Sequence, residues 1–195
     1  MKVYFIRHGM TAGNEKKQYI GATDEPLSPK GRMQAEERRK REWVDTVFVT
    51  GKQRTAQTAR ILFPRAELQK QQALDEMDFG DFEGKSYLDM AEDAAYRSWV
   101  DGGCLGRCPH GENIEEFESR VWSCFAEIIE KNRCKGVEEL YFVLHGGTIS
   151  AILHKLLGGS FFDYGLANLE GFAIEIDAEQ GSCRAAGLPQ RFEVD

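Results

Sequence analysis

The 195-residue sequence predicts an α/β fold organised as a single domain. Short apolar runs alternate along the chain with amphipathic segments, as repeated strand–helix–strand units require. The chain is long enough to bury one sizeable hydrophobic core, and the sequence contains no internal repeat and no linker-like stretch. We therefore expect residues 1–195 to form one domain around a central sheet.

The N-terminal half is expected to contain two strand–helix units separated by a polar loop from Gly9 to Pro29. Ser28 can cap a helix through its hydroxyl, and Pro29 suits the first helical position. A helix is therefore predicted from there to about Arg41. The other predicted elements of this half are a strand at Lys2–Ile6, a strand at Thr46–Thr50, and a helix from near Arg54 to before Pro64.

The stretch from Leu74 to Gly111 is rich in Asp, Glu, Gly and aromatic residues, with a short helix expected near Ser86–Val100. A long segment of this kind between core elements is typical of a cover over a binding crevice, which we place at residues 77–113. The elements predicted after it are a helix at Ile114–Asn132, whose apolar spacing suits docking onto the sheet, a strand at Glu139–Leu144, a helix at Thr148–Leu157, and a strand at Phe172–Ile176, which alternates as an edge or half-exposed strand would.

Composition and charge exclude several classes of protein. The net charge of −7 argues against general nucleic-acid binding, and the charged run Glu36–Glu42 mixes both signs, as a solvated helix face does. No stretch approaches the roughly 20 apolar residues needed to span a bilayer. The N-terminus also lacks the layout of a signal peptide. We therefore expect a cytoplasmic protein with no membrane partner.

The five cysteines are odd in number and include no Cys-x-x-Cys pair, which favours reduced thiols. Cys104, Cys108 and His110 lie close together in a Gly-rich loop and could in principle bind zinc. A fourth ligand is not apparent and the spacing matches no standard zinc site. We predict no metal site.

Two histidines, far apart in the sequence, follow predicted strands directly. His8 comes after the run Val3–Ile6, and His145 comes after Leu140–Leu144. In an open α/β sheet, ligands bind in the crevice outside the carboxyl ends of the strands. Because Arg7 stands beside the first histidine, we expect this crevice to bind an anion.

The residues at these strand ends suit the cleavage of a phosphate monoester. Arg7 can grip phosphoryl oxygens in a bidentate manner, and a neutral His8 can attack phosphorus. Nearby cations disfavour the protonated form of His8 and would keep it nucleophilic. Arg54 begins a helix directly after the second strand, where free N–H groups also favour anions. Further donors could come from Thr11, Asn14 and the amide of Gly146.

The acid that protonates the leaving oxygen must come from another part of the chain. The segment Leu74–Gly84 contains five carboxylates: Asp75, Glu76, Asp78, Asp81 and Glu83. Composition alone does not distinguish among them.

Four short motifs occur in order along the chain. They are Arg7-His8-Gly9 with Thr11 and Asn14; Arg54-Thr55-Ala56-Gln57-Thr58-Ala59; Leu74-Asp75-Glu76 with Phe79-Gly80 and Phe82-Glu83-Gly84; and His145-Gly146-Gly147. In this order they resemble the histidine phosphatase superfamily, also called the phosphoglycerate mutase-like family. The resemblance covers nearly the whole chain.

The resemblance implies a three-layer α/β/α sandwich with a mostly parallel sheet, and no metal or organic cofactor. It implies that His8 accepts the phosphoryl group, that Arg7, Arg54 and His145 form the phosphate pocket, and that Glu76 is the proton donor and later the base. The implied substrate is a small phosphate ester. The substrate-binding residues expected from the whole pattern are Arg7, Thr11, Asn14, Gly21, Arg54, His145 and Gly146.

Within the family, the phrase Phe79-Gly80-Asp81-Phe82-Glu83-Gly84 is more like the small phosphatases, including α-ribazole phosphatases. A 2,3-bisphosphoglycerate-dependent phosphoglycerate mutase and a non-catalytic phosphate-binding module remain alternatives. His110 and Lys52 depart from the family pattern and could contact substrate, although loop or surface roles are the simpler interpretation. The sequence leaves the natural substrate and the oligomeric state open.

Overall fold

The computed structural model describes residues 1–38, 40–179 and 182–194, in which seven strands form one sheet. The strand order is β3-β2-β4-β1-β5-β6, and β7 also pairs with β5. β3, β2, β4 and β1 run parallel to one another, whereas β5 is antiparallel to β1 and to both later strands. The strands are β1 (Lys2–Arg7), β2 (Thr46–Val49), β3 (Glu67–Lys70), β4 (Glu139–Leu144), β5 (Glu170–Glu179), β6 (Ser182–Ala185) and β7 (Gln190–Glu193).

The helices begin largely where their capping residues predict. The Ser28 hydroxyl accepts a hydrogen bond from the Gly31 amide at 3.0 Å, which confirms the predicted cap of the second helix. Asn113 caps the longest helix in a reciprocal capping box with Glu116. The helices are α1 (Ala12–Glu15), α2 (Pro29–Glu36), α3 (Gln53–Leu62), α4 (Ala94–Asp101), α5 (Ile114–Arg133) and α6 (Gly146–Leu157).

Successive side chains of the central strands point to opposite faces of the sheet and form two separate cores. Along β4, Phe142 packs in the core formed with α5 and α6, whereas its neighbour Val143 packs in the core formed with α2 and α3. The sheet is therefore covered by helices on both faces. This confirms the three-layer α/β/α architecture with a parallel central part.

Two predicted helices are shorter than expected. α2 ends at Glu36 rather than near Arg41, and Lys40 Nζ donates to the free carbonyl of Glu36 at 2.7 Å. The charged residues beyond this point have no apolar periodicity that would hold them against the core. The helix predicted from Ser86 begins only at Ala94, because Asp93 caps it by accepting from the next amides.

The strand predicted at Phe172–Ile176 was expected to lie at an edge or to be half-exposed. It is β5, which does not lie at an edge, although exposed Glu175 and Asp177 alternate with buried Ile174 and Ile176. β5 pairs with β1 on one side and with β6 and β7 on the other, and its residues from Gly171 to Ile174 are buried. The strands β3, β6 and β7 were not predicted, because each has four residues and a polar sequence. Among the described residues, no helix has both the length and the apolar character that crossing a bilayer requires.

The segment 77–113 packs against the loop that follows α1. Tyr19 of that loop contacts the rings of Phe79, Tyr96 and Trp99 at centroid distances of 5.1, 5.9 and 5.8 Å. Its hydroxyl lies 3.0 Å from the hydroxyl of Tyr96. These contacts attach the segment to a loop that also reaches the strand ends described below.

Candidate active site

The carboxyl ends of β1, β2 and β4 lie side by side, because these strands are parallel and β4 is between the other two. His8 follows β1, Arg54 lies in the first turn of α3 after β2, and His145 immediately precedes α6. The rings of His8 and His145 have centroids 5.2 Å apart. The structure thus brings together residues that are far apart in the sequence.

His8 is held as a neutral imidazole with one free nitrogen. Its Nδ1 lies 2.7 Å from the Gly9 carbonyl oxygen, which can only accept, so Nδ1 carries the hydrogen. Nε2 therefore carries the lone pair. Burial, followed by the charges of Arg54 and Arg7, lowers the pKa of His8 well below its ordinary value. These conditions make Nε2 a nucleophile at neutral pH.

Arg7, Asn14 and Gly146 lie close to the two histidines: Arg7 and Gly146 are their sequence neighbours, and Asn14 is joined through Asn168 to the His8 carbonyl. The Nε of Arg7 is buried and has no hydrogen-bond partner among the described residues, which is costly unless an acceptor reaches it. The Oδ1 of Asn14 accepts from the Thr11 amide at 3.3 Å and from Asn168 at 3.2 Å, so its Nδ2 is directed elsewhere. The backbone of Gly146 lies beside Arg7, where an added Cβ would be 3.5 Å from Nε. The three groups suit an anionic ligand.

Arg54 is completely buried, and loop carbonyls hold its guanidinium. Nη1 donates to Thr23 O at 2.7 Å, and Nη2 donates to Gly21 O at 2.9 Å. Nε donates to His145 Nδ1 at 3.2 Å. Burial lowers the pKa of Arg54, but the group stays cationic because an arginine pKa begins so high. Nη2 also donates to Ile20 O at 3.4 Å, so one hydrogen of Arg54, on Nη1, has no acceptor among the described residues.

Glu76 lies against the first turn of α6. Its Oε2 accepts from the Gly147 amide in the first turn of α6 at 2.9 Å, and its Oε1 accepts from the Met77 amide at 3.1 Å. Burial raises the pKa of Glu76 above its ordinary value, and these two hydrogen bonds only partly offset the effect. A buried carboxyl with a raised pKa is suited to act as a general acid.

A pair of residues that the sequence analysis missed positions the segment carrying Glu76. Arg120 of α5 donates to the carbonyl oxygens of Asp75 and Glu76 at 2.8 and 2.9 Å. It also forms a two-pronged ion pair with Glu112, at 2.6 and 2.8 Å. Glu112 in turn accepts from the Asp78 amide at 3.0 Å. In the sequence, Arg120 does not differ from the other charged residues of the amphipathic helix α5, so its role was not predicted.

Glu83 positions Arg54 indirectly, a role that the sequence analysis did not assign to it. Its carboxylate accepts from the amides of Gly21, Ala22 and Thr23 at 2.9 to 3.2 Å, and from the Thr23 hydroxyl at 2.6 Å. These residues belong to the loop whose carbonyls hold Arg54. The only sequence signal was the quoted phrase Phe82-Glu83-Gly84, to which no role was attached.

Some of the predicted residues have mainly structural contacts. Thr11 is buried and caps α1 by accepting from the Asn14 amide at 3.2 Å. The Gly21 amide donates to Glu83, and the Gly21 carbonyl accepts from Arg54. Lys52 Nζ donates to the Ala22 carbonyl and lies 3.4 Å from Asp75.

His110 is highly exposed and pairs with Asp81 at 2.9 Å, whereas Cys108 is buried in the core. Cys108 and His110, two of the three residues considered as zinc ligands, therefore lie in different environments, one in the core and one at the surface. Within the described part of the chain, no three His, Cys, Asp or Glu side chains converge as a metal site requires.

Fold and site together define a pocket suited to an anion at the carboxyl ends of an α/β sheet. The family model "Histidine phosphatase superfamily (branch 1)" matches residues 3–187, and the chain belongs to this superfamily. It is therefore an enzyme of the histidine phosphatase class. This confirms the resemblance drawn from the four motifs.

Named relatives are similar over most of their lengths. A Hydrogenobacter thermophilus protein, provisionally named phosphoserine phosphatase 2, is 31% identical over 86% of this chain and 82% of its own. An Enterobacter protein, provisionally named phosphoglycerate mutase GpmB, is 31% identical over 81% of this chain and 75% of its own.

Solved structures show the same fold. The α-ribazole phosphatase of Shigella flexneri superposes with a TM-score of 0.79 at 24% identity, covering 96% of both chains. The phosphoglycerate mutase of Bacillus anthracis superposes with a TM-score of 0.75 at 19% identity, covering 96% of this chain and 92% of the other.

Proposed function

We propose that this protein is a metal-independent phosphomonoester hydrolase that acts on a small phosphorylated metabolite through a phosphohistidine on His8. The observation that carries the proposal is the state of His8. Its Nδ1 is occupied by the Gly9 carbonyl and its pKa is lowered, so a neutral Nε2 faces the anion pocket. In this proposal, Arg7 and Arg54 supply the positive charge that the phosphoryl group requires.

The proposed reaction has two steps, phosphoryl transfer to His8 and hydrolysis of the phosphohistidine. Nε2 of His8 attacks phosphorus, the bond from phosphorus to the ester oxygen breaks, and Glu76 transfers its proton to that oxygen. The Glu76 carboxylate then takes a proton from water while the water oxygen attacks the phosphohistidine. The N–P bond breaks, which releases inorganic phosphate and returns both residues to their starting states.

Three further assignments complete the proposed site. His145 and Arg54 stabilise the charge that develops on the phosphoryl oxygens. The donors of Asn14 and Gly146 add neutral contacts to these oxygens. Residues 77–113 form the cover of the pocket, within the single domain 1–195, and shape the space for the leaving group. Support for the cover comes from its attachment to the loop that holds Arg54.

The test is turnover and covalent labelling. Wild-type protein should hydrolyse p-nitrophenyl phosphate in the presence of EDTA, and acid-labile phosphate should appear on the protein after rapid quenching. His8→Ala should abolish both signals, whereas His154→Gln, which changes a histidine on the outer part of α6, should retain them. Activity in His8→Ala, or wild-type protein that never forms a phosphoenzyme, would contradict the mechanism.

We also propose which phosphate esters are the substrates. The phosphatase relative at 31% identity and the Phe79–Gly84 phrase favour hydrolysis, and we propose phosphoserine and α-ribazole 5′-phosphate as the first esters to compare. A panel of phosphorylated metabolites at equal concentration, ranked by kcat/KM, tests this choice. If neither ester exceeds p-nitrophenyl phosphate, both assignments are wrong.

Mutase activity is the second candidate, because relatives at 30–31% identity carry the phosphoglycerate mutase name. Interconversion of 3- and 2-phosphoglycerate that depends on 2,3-bisphosphoglycerate would establish it. Phosphate binding with neither reaction would instead support a non-catalytic module.

A further inference from the structure

Thr50, the residue that follows β2, lies beside the ring edge of His145. The distance from its Oγ1 to His145 Nε2 is 2.9 Å, and both residues are completely buried. Thr50 lies outside the four motifs, and no role was assigned to it. Its contact with His145 therefore needs an explanation of its own.

The hydrogen bonds around Thr50 determine the direction of this contact. The Thr55 hydroxyl donates to the Lys52 carbonyl at 2.9 Å, so at its 3.0 Å contact with Thr50 it must accept. The Thr50 hydroxyl hydrogen is therefore used on Thr55. Toward His145, Thr50 can only accept, so Nε2 of His145 must carry the ring hydrogen.

The other side of the ring leads to the same assignment. Arg54 Nε is always a donor and lies 3.2 Å from His145 Nδ1, so Nδ1 must carry the lone pair. Two separate partners thus require one tautomer, the neutral Nε2–H form. In this form Nδ1 can only accept, and the one ring hydrogen, on Nε2, is directed toward Thr50 and not toward a leaving group.

We propose that Thr50 is a positioning residue that holds His145 in the Nε2–H tautomer and thereby fixes the guanidinium of Arg54 in the phosphate pocket. The kinetic part of this inference rests on the proposed phosphatase function. It assigns His145 the role of an acceptor that orients Arg54, and it leaves Glu76 as the proton donor.

The test compares Thr50→Val, which removes the hydroxyl at nearly constant volume, with Thr50→Ser, which keeps it. Ser150→Ala is the control, because it removes another buried hydroxyl, one that donates to the Tyr164 carbonyl at 3.4 Å rather than bonding to His145. The first readout is the side-chain ¹⁵N spectrum, in which His145 is identified among only four histidines by comparison with His145→Gln. The second is kcat/KM for p-nitrophenyl phosphate, together with competitive inhibition by inorganic phosphate.

Wild type, Thr50→Ser and Ser150→Ala should each show His145 with a protonated Nε2 and an unprotonated Nδ1. Thr50→Val should shift the His145 signals away from this pattern, because only Arg54 then favours the Nε2–H form. Its kcat/KM should fall about 10- to 100-fold, the range found when partners that orient metal-binding histidines are removed. Its inhibition by phosphate should weaken as well, while Thr50→Ser should stay within about 3-fold of wild type.

An unchanged His145 spectrum in folded Thr50→Val would overturn the inference, as would an equal change in Ser150→Ala. If wild type hydrolyses no phosphate ester, the proposed function fails, but the spectra still decide the role of Thr50. If wild type is active and Thr50→Val matches it, the function stands and the inference about Thr50 fails.

Discussion

Substitution of Gly21 by alanine should displace the phosphate-binding arginine relative to the proton donor. A Cβ at this position would lie 1.7 Å from the carbonyl oxygen of Met77, which is about 1.3 Å short of the 3.0 Å at which Cβ contacts begin. Because the obstacle is backbone, the loop and the segment of Glu76 must move apart. The Gly21 carbonyl also holds Arg54 at 2.9 Å, so this residue moves with the loop.

The size of the effect follows from this displacement. A shift of about 1 Å in a catalytic arrangement can cost about 100-fold in rate, so Gly21→Ala should lower kcat/KM by roughly that factor. Overpacking of a close contact should cost about 1 to 3 kcal/mol in the free energy of unfolding. The protein should therefore remain folded but become a poor enzyme.

The assay measures kcat/KM on p-nitrophenyl phosphate and unfolding by urea for each variant. Gly165→Ala is the control, because its added Cβ meets nothing within 4 Å and its φ of −61° suits any residue. Wild-type activity in Gly21→Ala would refute the reasoning, and so would an equal loss of activity in Gly165→Ala.

Three further predictions concern the proton donor, the buried histidines and Arg120. Glu76→Gln should slow alkyl phosphates much more than p-nitrophenyl phosphate, whose leaving group needs little protonation; equal losses in kcat would contradict its role as the acid. Burial holds the pKa of His8 and His145 below the ordinary 6.5, so below about pH 6.5 the unfolded chain binds protons that the folded protein does not. The free energy of unfolding should then fall with decreasing pH by up to about 1.4 kcal/mol per pH unit for each histidine. Urea unfolding from pH 7.5 to 5.5 should show a smaller slope in His8→Gln, and equal slopes would exclude this linkage. Arg120→Met should lower kcat about 10-fold or more by releasing the carbonyls of Ala73, Asp75 and Glu76, and Lys131→Met on the same helix should leave kcat unchanged.

The parts of the fold that the sequence predicted share one physical property, a strong local pattern. β4 and α5 have apolar residues at the spacing of their element, and each was placed to within a residue. β3 has the sequence Glu-Leu-Gln-Lys and becomes a strand only because β2 offers it a parallel partner. Pairing of this kind is a property of the folded sheet and leaves no periodic signal in four residues.

The same distinction applies to the site. Strand ends and motif order led to His8, Arg54, Glu76 and His145 as candidates, and the structure brings all four to one edge of the sheet. The residues that orient them were missed, because their contacts join distant segments. Glu83 reaches a loop some 60 residues away in the chain, and Arg120 reaches carbonyls about 44 to 47 residues away. A polar side chain that bonds to backbone groups can find such groups anywhere in the chain, so no particular residue type marks its partner in the sequence.

The two histidines show how far local sequence can and cannot predict chemistry. Both follow an apolar parallel strand and precede a glycine, so their sequence surroundings are nearly the same. Their partners make them opposite tautomers: the Gly9 carbonyl takes the Nδ1 hydrogen of His8, whereas Arg54 donates to the Nδ1 of His145. The first ring therefore presents a lone pair to the pocket at Nε2, and the second uses its lone pair on an arginine. Nucleophile and orienting acceptor are thus distinguished by tertiary hydrogen bonds alone.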